Sequence, residues 1–600
     1  MSRRRWQVIV PFVVYVATSL AVHALFVGEI SPEILSGELI DTDSYTRILR
    51  VQALRDTGEW YETAMDRSNA PFGETSHWTR PLDLLLLGGA VVMAPVVGFE
   101  GGLYWAAAFV GPILQILTGL LLAWAVAPLV RGRGLVMMAL LAQPAVMVYS
   151  LAGRADHHGL ILLTFTVVCG YVVRTLVAPG KRRYAFLAGA WGGIGLWVST
   201  EFLLPLAVVL GVSALAWVFH GRTYARANRT LSLGWFCATG AALVLERPLS
   251  QLLQPEYDRL SIVHLVVSGI AAAFWQLATF VGYTRTWRAF VLGAGGVLSV
   301  AGVWFLYPTF FGGPWAEVDP ELARIWLGQV AELQPLWPTE PGGWGRFMVY
   351  LGLAAVVLPG TIWLLVRERS EMREAAWLFL ATSLCVFFVA AGFRARFATF
   401  AELLAVVFVA GLADRVFRPH GSRQRKEAGA ARALLVTAVV VGPVVLGGLI
   451  WSGSRGLPTR AGAGSPAACS VKDMAEYLTS DRLPGAPPLT IAAHVDFGPE
   501  LLYRTPHRVL ATPYHRNRGI IATHRLLTSA DGGVSRILAR MRGVDLILLC
   551  PAADAGFFDT IAGDGSLYHR LIEGDPPPWL RRLPLPPTLS QGFLLYSVSR

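Results

Sequence analysis

Apolar runs of about twenty residues recur along the first three quarters of this chain, and nothing else in it limits the fold as strongly. Such a run crosses a bilayer as a helix, because hydrocarbon offers no partner for backbone polar groups and each segment must bond its own. The runs lie near 7–26, 104–128, 135–151, 157–178, 185–199, 201–219, 231–246, 262–282, 289–308, 347–366, 375–391, 396–414 and 433–452, which makes about 13 segments by the hydropathy criterion. Apolar residues make up 54% of the chain and charged residues 15%, against about a quarter charged in soluble domains. The expected class is a polytopic α-helical membrane protein. The net charge of +11 does not imply nucleic acid, because the arginines come in short bursts between apolar runs, as in cytoplasmic loops. Arg3-Arg4-Arg5 ahead of the run ending at Phe26 reads as an uncleaved signal anchor.

Charge sets the orientation. With the N-terminal arginines inside, the basic loops Arg131–Arg133, Lys181–Arg183, Arg222–Arg229, Arg285–Arg288, Arg367–Arg373 and Arg415–Lys426 all fall inside only if the apolar segment 82–98 does not cross. That segment is therefore expected to be a re-entrant or interfacial helix within an external loop spanning 27–103, packed against protein. The loops 152–156, 247–261, 309–346 and 392–395, and everything after Trp451, then lie outside. The expected location is the plasma (inner) membrane, with a cytoplasmic N-terminus. Residues 1–452 form the membrane domain. From 453 to 600 proline, glycine and charge rise. Leu489–Ala493, Val544–Leu549 and Gly592–Val598 read as strands, Ser470–Leu478 and Gly533–Met541 as helices, and the whole as an extracytoplasmic α/β domain. Among five cysteines only Cys469 and Cys550 share this region, where a disulfide is one of the options.

Four polar islands fall on the outer face in this topology: Asp41-Thr42-Asp43, Asp156-His157-His158, Glu332, and Arg394 with Arg396. Ionisable groups beside apolar runs are costly and mark function. The carboxylates suit a divalent cation, Mg²⁺ or Mn²⁺. Asp156 and His158, two apart, are placed to share it, with His157 pointing elsewhere; helix capping by Asp156 is the alternative. The guanidinium forks of Arg394 and Arg396 suit a phosphate or diphosphate, or equally lipid headgroups in the case of Arg394. In the tail, His494-Val495-Asp496-Phe497-Gly498 and Pro513-Tyr514-His515-Arg516-Asn517 are polar clusters at strand ends, where binding loops gather.

These pieces resemble, in order and spacing, the catalytic subunit of the oligosaccharyltransferases, membrane glycosyltransferases of the GT-C fold. Ser150-Leu151-Ala152-Gly153-Arg154-Ala155-Asp156-His157-His158-Gly159 is similar to that family's S-V-A-G-S-Y-D-N-E-G. Gln329-Val330-Ala331-Glu332-Leu333-Gln334-Pro335 resembles its S-V-S-E-H-Q-P, and Asp43-Ser44-Tyr45-Thr46-Arg47 its first-loop acidic motif. The resemblance implies that Asp43 and Asp156 ligate the metal with His158, and that Glu332 sits at the acceptor. It also implies that Arg396 holds the phosphate of a polyprenyl-linked donor, with the lipid tail between spans. The family's W-W-D-Y-G has only His494-Val495-Asp496-Phe497-Gly498 as its counterpart. Without the tryptophans a sequon-reading pocket is not expected, so Glu332, Asp496, His494 and His515 face an acceptor that is either protein asparagine or a glycan, lipid or other envelope hydroxyl. A lipid-linked-sugar transporter is the competing class. It predicts charges buried mid-span and inverted repeats, whereas the acids here gather at one face and no repeat is evident.

Overall fold

The structure is a computed structural model that describes residues 3–281, 284–340, 342–368, 370–416, 424–454, 469–480, 488–554, 557–558, 563 and 565–599. Much of the predicted basic loop at 415–426 lies outside the described residues. Among the described residues, nine helices are long and apolar enough to cross a membrane. The four other predicted segments are helical too: Arg133–Leu141 with Pro144–Met147, Arg182–Val198, Arg222–Glu246 and Ile262–Ala278.

Two of these depart from an ordinary greasy span. The segment expected at 135–151 breaks at Gln143, whose backbone is extended (φ −98°, ψ 105°), because a residue before proline is driven out of the helical region. Arg182–Val198 owes its small residues to a close neighbour. A Cβ on Gly189 would lie 1.8 Å from the Leu231 carbonyl oxygen, and one on Gly234 2.3 Å from that of Phe186. The backbones of Arg182–Val198 and Arg222–Glu246 thus touch through glycine, as apolar helices do where side-chain burial gives no drive.

The segment 82–98 continues into the next span as one helical stretch, Arg80–Ala125, but Gly98 interrupts it with φ 74° and ψ 167°, a conformation open to glycine. The chain folds back there: a Cβ on Gly89 would lie 2.8 Å from that of Ala106. Both ends of the first half are held by the helix Thr42–Thr57. Wholly buried Asp83 takes Arg47 at 3.0 Å and Arg50 at 2.8 Å, and Glu100, just past the turn, takes Arg55 at 2.6 Å.

The first loop also carries a two-stranded ladder, β1 (Ala64–Met65) against β2 (Glu74–Thr75). The tail holds a five-stranded mixed sheet of β3 (Thr490–Ala492), β4 (Arg508–Val509), β5 (Leu546–Leu549), β6 (Leu580–Arg582) and β7 (Leu594–Val598), in the order β4-β3-β5-β7-β6. β3 is parallel to β4 and β5, and β7 runs antiparallel to β5 and β6. The predicted strands are β3, β5 and β7. β4 and β6, at two and three residues, are too short for a period-2 pattern to register. Cys469 and Cys550 are joined as a disulfide.

The sheet is tied to the loops of the membrane region. At its edge, Val509 N–H donates to the Arg67 carbonyl at 2.9 Å, and the Val509 carbonyl accepts from Ala70 at 3.1 Å, so the exposed rim of β4 is covered. The Arg67 guanidinium donates to the carbonyls of Leu502 and Thr505, capping the end of the helix Gly498–Arg504 where cations are favoured. Leu322 and Ile325, each 1% exposed, enter the tail's apolar core from the loop 309–346. The tail therefore shares its core with that loop.

Candidate active site

Two helix N-termini meet at the end of the bundle beneath the sheet. Thr42–Thr57 is capped by Asp41, whose Oδ1 accepts from Asp43 N. His157–Val177 is capped by Asp156, whose Oδ1 accepts from His158 N at 3.1 Å. An acid two residues ahead of the N–H it binds is an ordinary N-cap. Here the two caps lie side by side and bring Asp43, His157 and His158 with them. Ser44 Oγ accepts from Ala155 N at 2.8 Å, and Ile40 N donates to Gly153 O at 3.2 Å, lacing the two loops together. Arg154 lies between the caps, with Nε 3.0 Å from Asp41 and Nη2 3.0 Å from Asp156.

The cavity there holds about 840 Å³ and is lined by Asp43, Asp156, His158, Glu332, Arg396, His494, Asp496 and His515. Of the predicted site residues only Arg394 is outside the lining. Its guanidinium donates to the Leu333 carbonyl at 3.0 Å and fastens the Glu332 turn, while the 3₁₀ turn Ala395–Phe397 carries Arg396 inward. A second correction concerns His157. Alternation would turn it away from Asp156, but the first turn of a helix does not alternate. Its Nδ1 lies 3.0 Å from Asp156 Oδ1, and the ligand atoms of Asp156, His157 and His158 lie within 4.8 Å of one another.

Several lining residues were not foreseen. Glu201, a lone acid between two apolar runs, forms an ion pair with Arg396, whose other side is 3.5 Å from Glu332 Oε1. Tyr149 donates to Glu332 Oε2 at 3.1 Å. Asp258, on the loop 247–261, accepts from His515 Nε2 and Arg516 Nε, each at 2.8 Å. Neither Glu201 alone nor Glu256-Tyr257-Asp258 matched a motif, though the rarity of acids beside spans was itself a signal.

The electrostatics are uneven. Seven carboxylates line the cavity against three arginines. Burial, then the neighbouring Asp41, Asp156 and Glu332, push the Asp43 carboxyl well above the usual carboxylate range, and among the described residues nothing donates to its oxygens. Burial would raise Asp156 as well, but His158, His157 and Arg154 facing it hold it well below that range. Since an ionised carboxylate only accepts, His158 must carry its proton on Nδ1, 2.8 Å from Asp156. In the neutral ring Nε2 then carries the lone pair. That atom is buried without a hydrogen-bond partner and stands 3.9 Å from both Glu201 Oε2 and Glu332 Oε2. Excess negative charge, an open Asp43 and an imidazole oriented by a carboxylate are the donor set a divalent cation takes. The residues fit one.

The tail closes the cavity. Thr42 Oγ1 donates to the Asp496 carbonyl at 2.9 Å, and the Asp496 N–H donates to His494 Nδ1, which fixes the turn His494–Gly498.

The sequence matches no protein-family model and no curated protein. Solved structures do match. The archaeal oligosaccharyltransferase AglB from Archaeoglobus fulgidus, in complex with an inhibitory peptide and a dolichol-phosphate, superposes with a TM-score of 0.70 at 14% identity, over 94% of this chain and 72% of that one. An Archaeoglobus fulgidus oligosaccharyltransferase tethered to an acceptor peptide containing the NVT sequon gives 0.68 at 15%, over 99% and 74%. Its complex with Zn and sulfate gives 0.63 at 14%, over 98% and 73%. Identity this low speaks for architecture alone: the chain has the GT-C fold of an oligosaccharyltransferase.

Proposed function

We propose that the chain is a membrane glycosyltransferase, which moves a sugar or oligosaccharide from a polyprenyl phosphate or diphosphate to an acceptor on the outer face of the plasma membrane. What carries the reading is the convergence of four islands, far apart in sequence, on one carboxylate-rich cavity that also holds a buried arginine. The topology follows the charge argument, supported by the turn at Gly98 and the attachment of both ends of the preceding helix to Thr42–Thr57.

In this reading Asp43, Asp156 and His158 would hold a divalent cation, with Glu332 beside them, and Arg154 would loosen its hold on Asp156. The cation, when bound, supplies positive charge against the leaving phosphate. Arg396 binds that phosphate through its fork, competing with Glu201 and Glu332 for the guanidinium. Asp43 and Glu332 orient the acceptor against the anomeric carbon. The dolichol-phosphate in the AglB complex and the Zn of its companion are consistent with a lipid-phosphate donor and a metal for this chain.

The experiment is transfer from labelled polyprenyl-phosphate and polyprenyl-diphosphate sugars in proteoliposomes, comparing the native chain with Asp43→Asn and Asp156→Asn, with and without EDTA. A loss of at least about a hundredfold in both variants and on chelation supports the reading. Transfer indifferent to all three removes the metal from the mechanism. Labelled lipid that crosses the bilayer without sugar transfer makes the chain a transporter.

A further inference from the structure

The cavity wall carries a second carboxylate–imidazole pair that the mechanism above leaves unused. His515 is 8% exposed, and its Nε2 lies 2.8 Å from Asp258 Oδ2. Burial alone would raise the Asp258 carboxyl. Hydrogen bonds from His515 and Arg516, and the charge of Arg516, instead hold it well below the usual carboxylate range. An ionised carboxylate accepts only, so Nε2 carries the imidazole proton and Nδ1 carries the lone pair. Among the described residues Nδ1 has no partner, and it is not one of the sealed, unpartnered atoms. The pair is rigid. Arg516 ties Asp258 and Glu256 together, the His77 ring packs edge-on at 4.4 Å and is itself bonded to Tyr514, and the Trp315 ring packs edge-on at 5.0 Å.

Trp315 also lies under Arg396, with Cζ 5.8 Å from the ring centroid. One indole therefore touches both the guanidinium assigned to the donor phosphate and the imidazole.

We propose that His515, held by Asp258, is the general base for the acceptor and that the acceptor nucleophile is a hydroxyl. The proposal rests on the transferase reading. As the acceptor oxygen bonds to the anomeric carbon, His515 Nδ1 takes the hydroxyl proton. The bond from that carbon to the phosphate oxygen breaks, and its electron pair leaves with the phosphate beside Arg396. The imidazolium so formed is stabilised by Asp258. This arrangement selects against a carboxamide, whose nitrogen lone pair is delocalised and whose proton an imidazole is too weak a base to remove. An alcohol needs only to lose its proton as the bond forms.

The test uses the full chain in proteoliposomes with labelled polyprenyl-phosphate and polyprenyl-diphosphate hexose as donors, water and methanol as hydroxyl acceptors, and azide as a nucleophile with no proton to lose. Replacing the base, His515→Ala, is expected to cost roughly 10²- to 10⁴-fold in transfer to water and methanol, at unchanged donor KM. Azide is expected to restore turnover to within about tenfold of native, the product being the glycosyl azide. Asp258→Asn, which keeps the shape but not the charge, is expected to lose activity with the same azide rescue. His515→Ala turning over methanol at the native rate overturns the proposal and leaves the transferase intact. A loss that azide does not repair, with donor KM preserved, also overturns it, because His515 then positions rather than deprotonates. No turnover of either donor by the native chain, with any nucleophile, refutes the transferase reading, and the proposal falls with it.

Discussion

Replacing Arg396 by Gln tests the donor side most directly. Its side chain is 8% exposed and lies between Glu201 and Glu332, 3.5 Å from the latter. At that separation two unit charges interact by about 1 kcal/mol in water and by about 5 kcal/mol at an effective dielectric near 20. The guanidinium is therefore strong enough to hold a phosphate, but only by drawing on charge that Glu201 and Glu332 already use. Removing a donor aimed at developing negative charge costs about 10²- to 10³-fold in kcat, or about 2.7 to 4 kcal/mol. Arg396→Gln is expected to fall in that range, and Arg396→Lys, which keeps the charge and loses the fork, between it and native. Glu201→Gln is expected to move the opposite way in binding. With a competitor for Arg396 gone, the donor KM falls while kcat stays within about threefold of native. The assay is initial-rate turnover of the labelled polyprenyl donor. Native-like kcat in Arg396→Gln, or the same loss in Glu201→Gln, refutes the reasoning.

Two further outcomes concern the tail and its attachment. Glu74, buried against Thr512 at 2.9 Å, has its pKa raised from 4.5 to about 7, chiefly by burial. The folded state thus holds a proton that the unfolded chain releases. Stability is fully present below pH 4.5, declines by about 3 kcal/mol as pH rises to 7, and is level above it. Urea midpoints of the native chain between pH 5 and 8 should show that decline and Glu74→Gln should not; parallel profiles would rule it out. Reducing Cys469–Cys550, which closes a separation of 81 residues, should destabilise the tail by up to about 4 kcal/mol. Urea unfolding followed through the buried Trp579, with and without reductant, measures this, and an unmoved midpoint contradicts it.

Much of the site could be read in advance because its acids and histidines are rare beside spans and so stand out as islands. Asp43, Asp156, His158, Glu332 and Arg396 all line the cavity for that reason. Glu201 was missed because it is solitary in its loop and Asp258 because Glu256-Tyr257-Asp258 matched no motif, and their importance comes from Arg396 and His515, about two hundred or more residues away. Arg394 and Arg396 look alike in sequence, yet one 3₁₀ turn sends them to different places. His157 was misdirected by an alternation rule that a helix N-terminus does not obey.

What the sequence alone determined was set by local physics. Hydropathy over twenty consecutive residues is a property of those residues, so the helical segments and the apolar strands β3, β5 and β7 could be read from the chain. Only the tertiary structure decided which polar groups meet. The turn at Gly98, the meeting of the two N-caps across Arg154, and the loop residues Leu322 and Ile325 that complete the tail's core depend on packing between distant segments. A contact between distant residues depends on the path of all the chain between them, and no window of sequence contains that path.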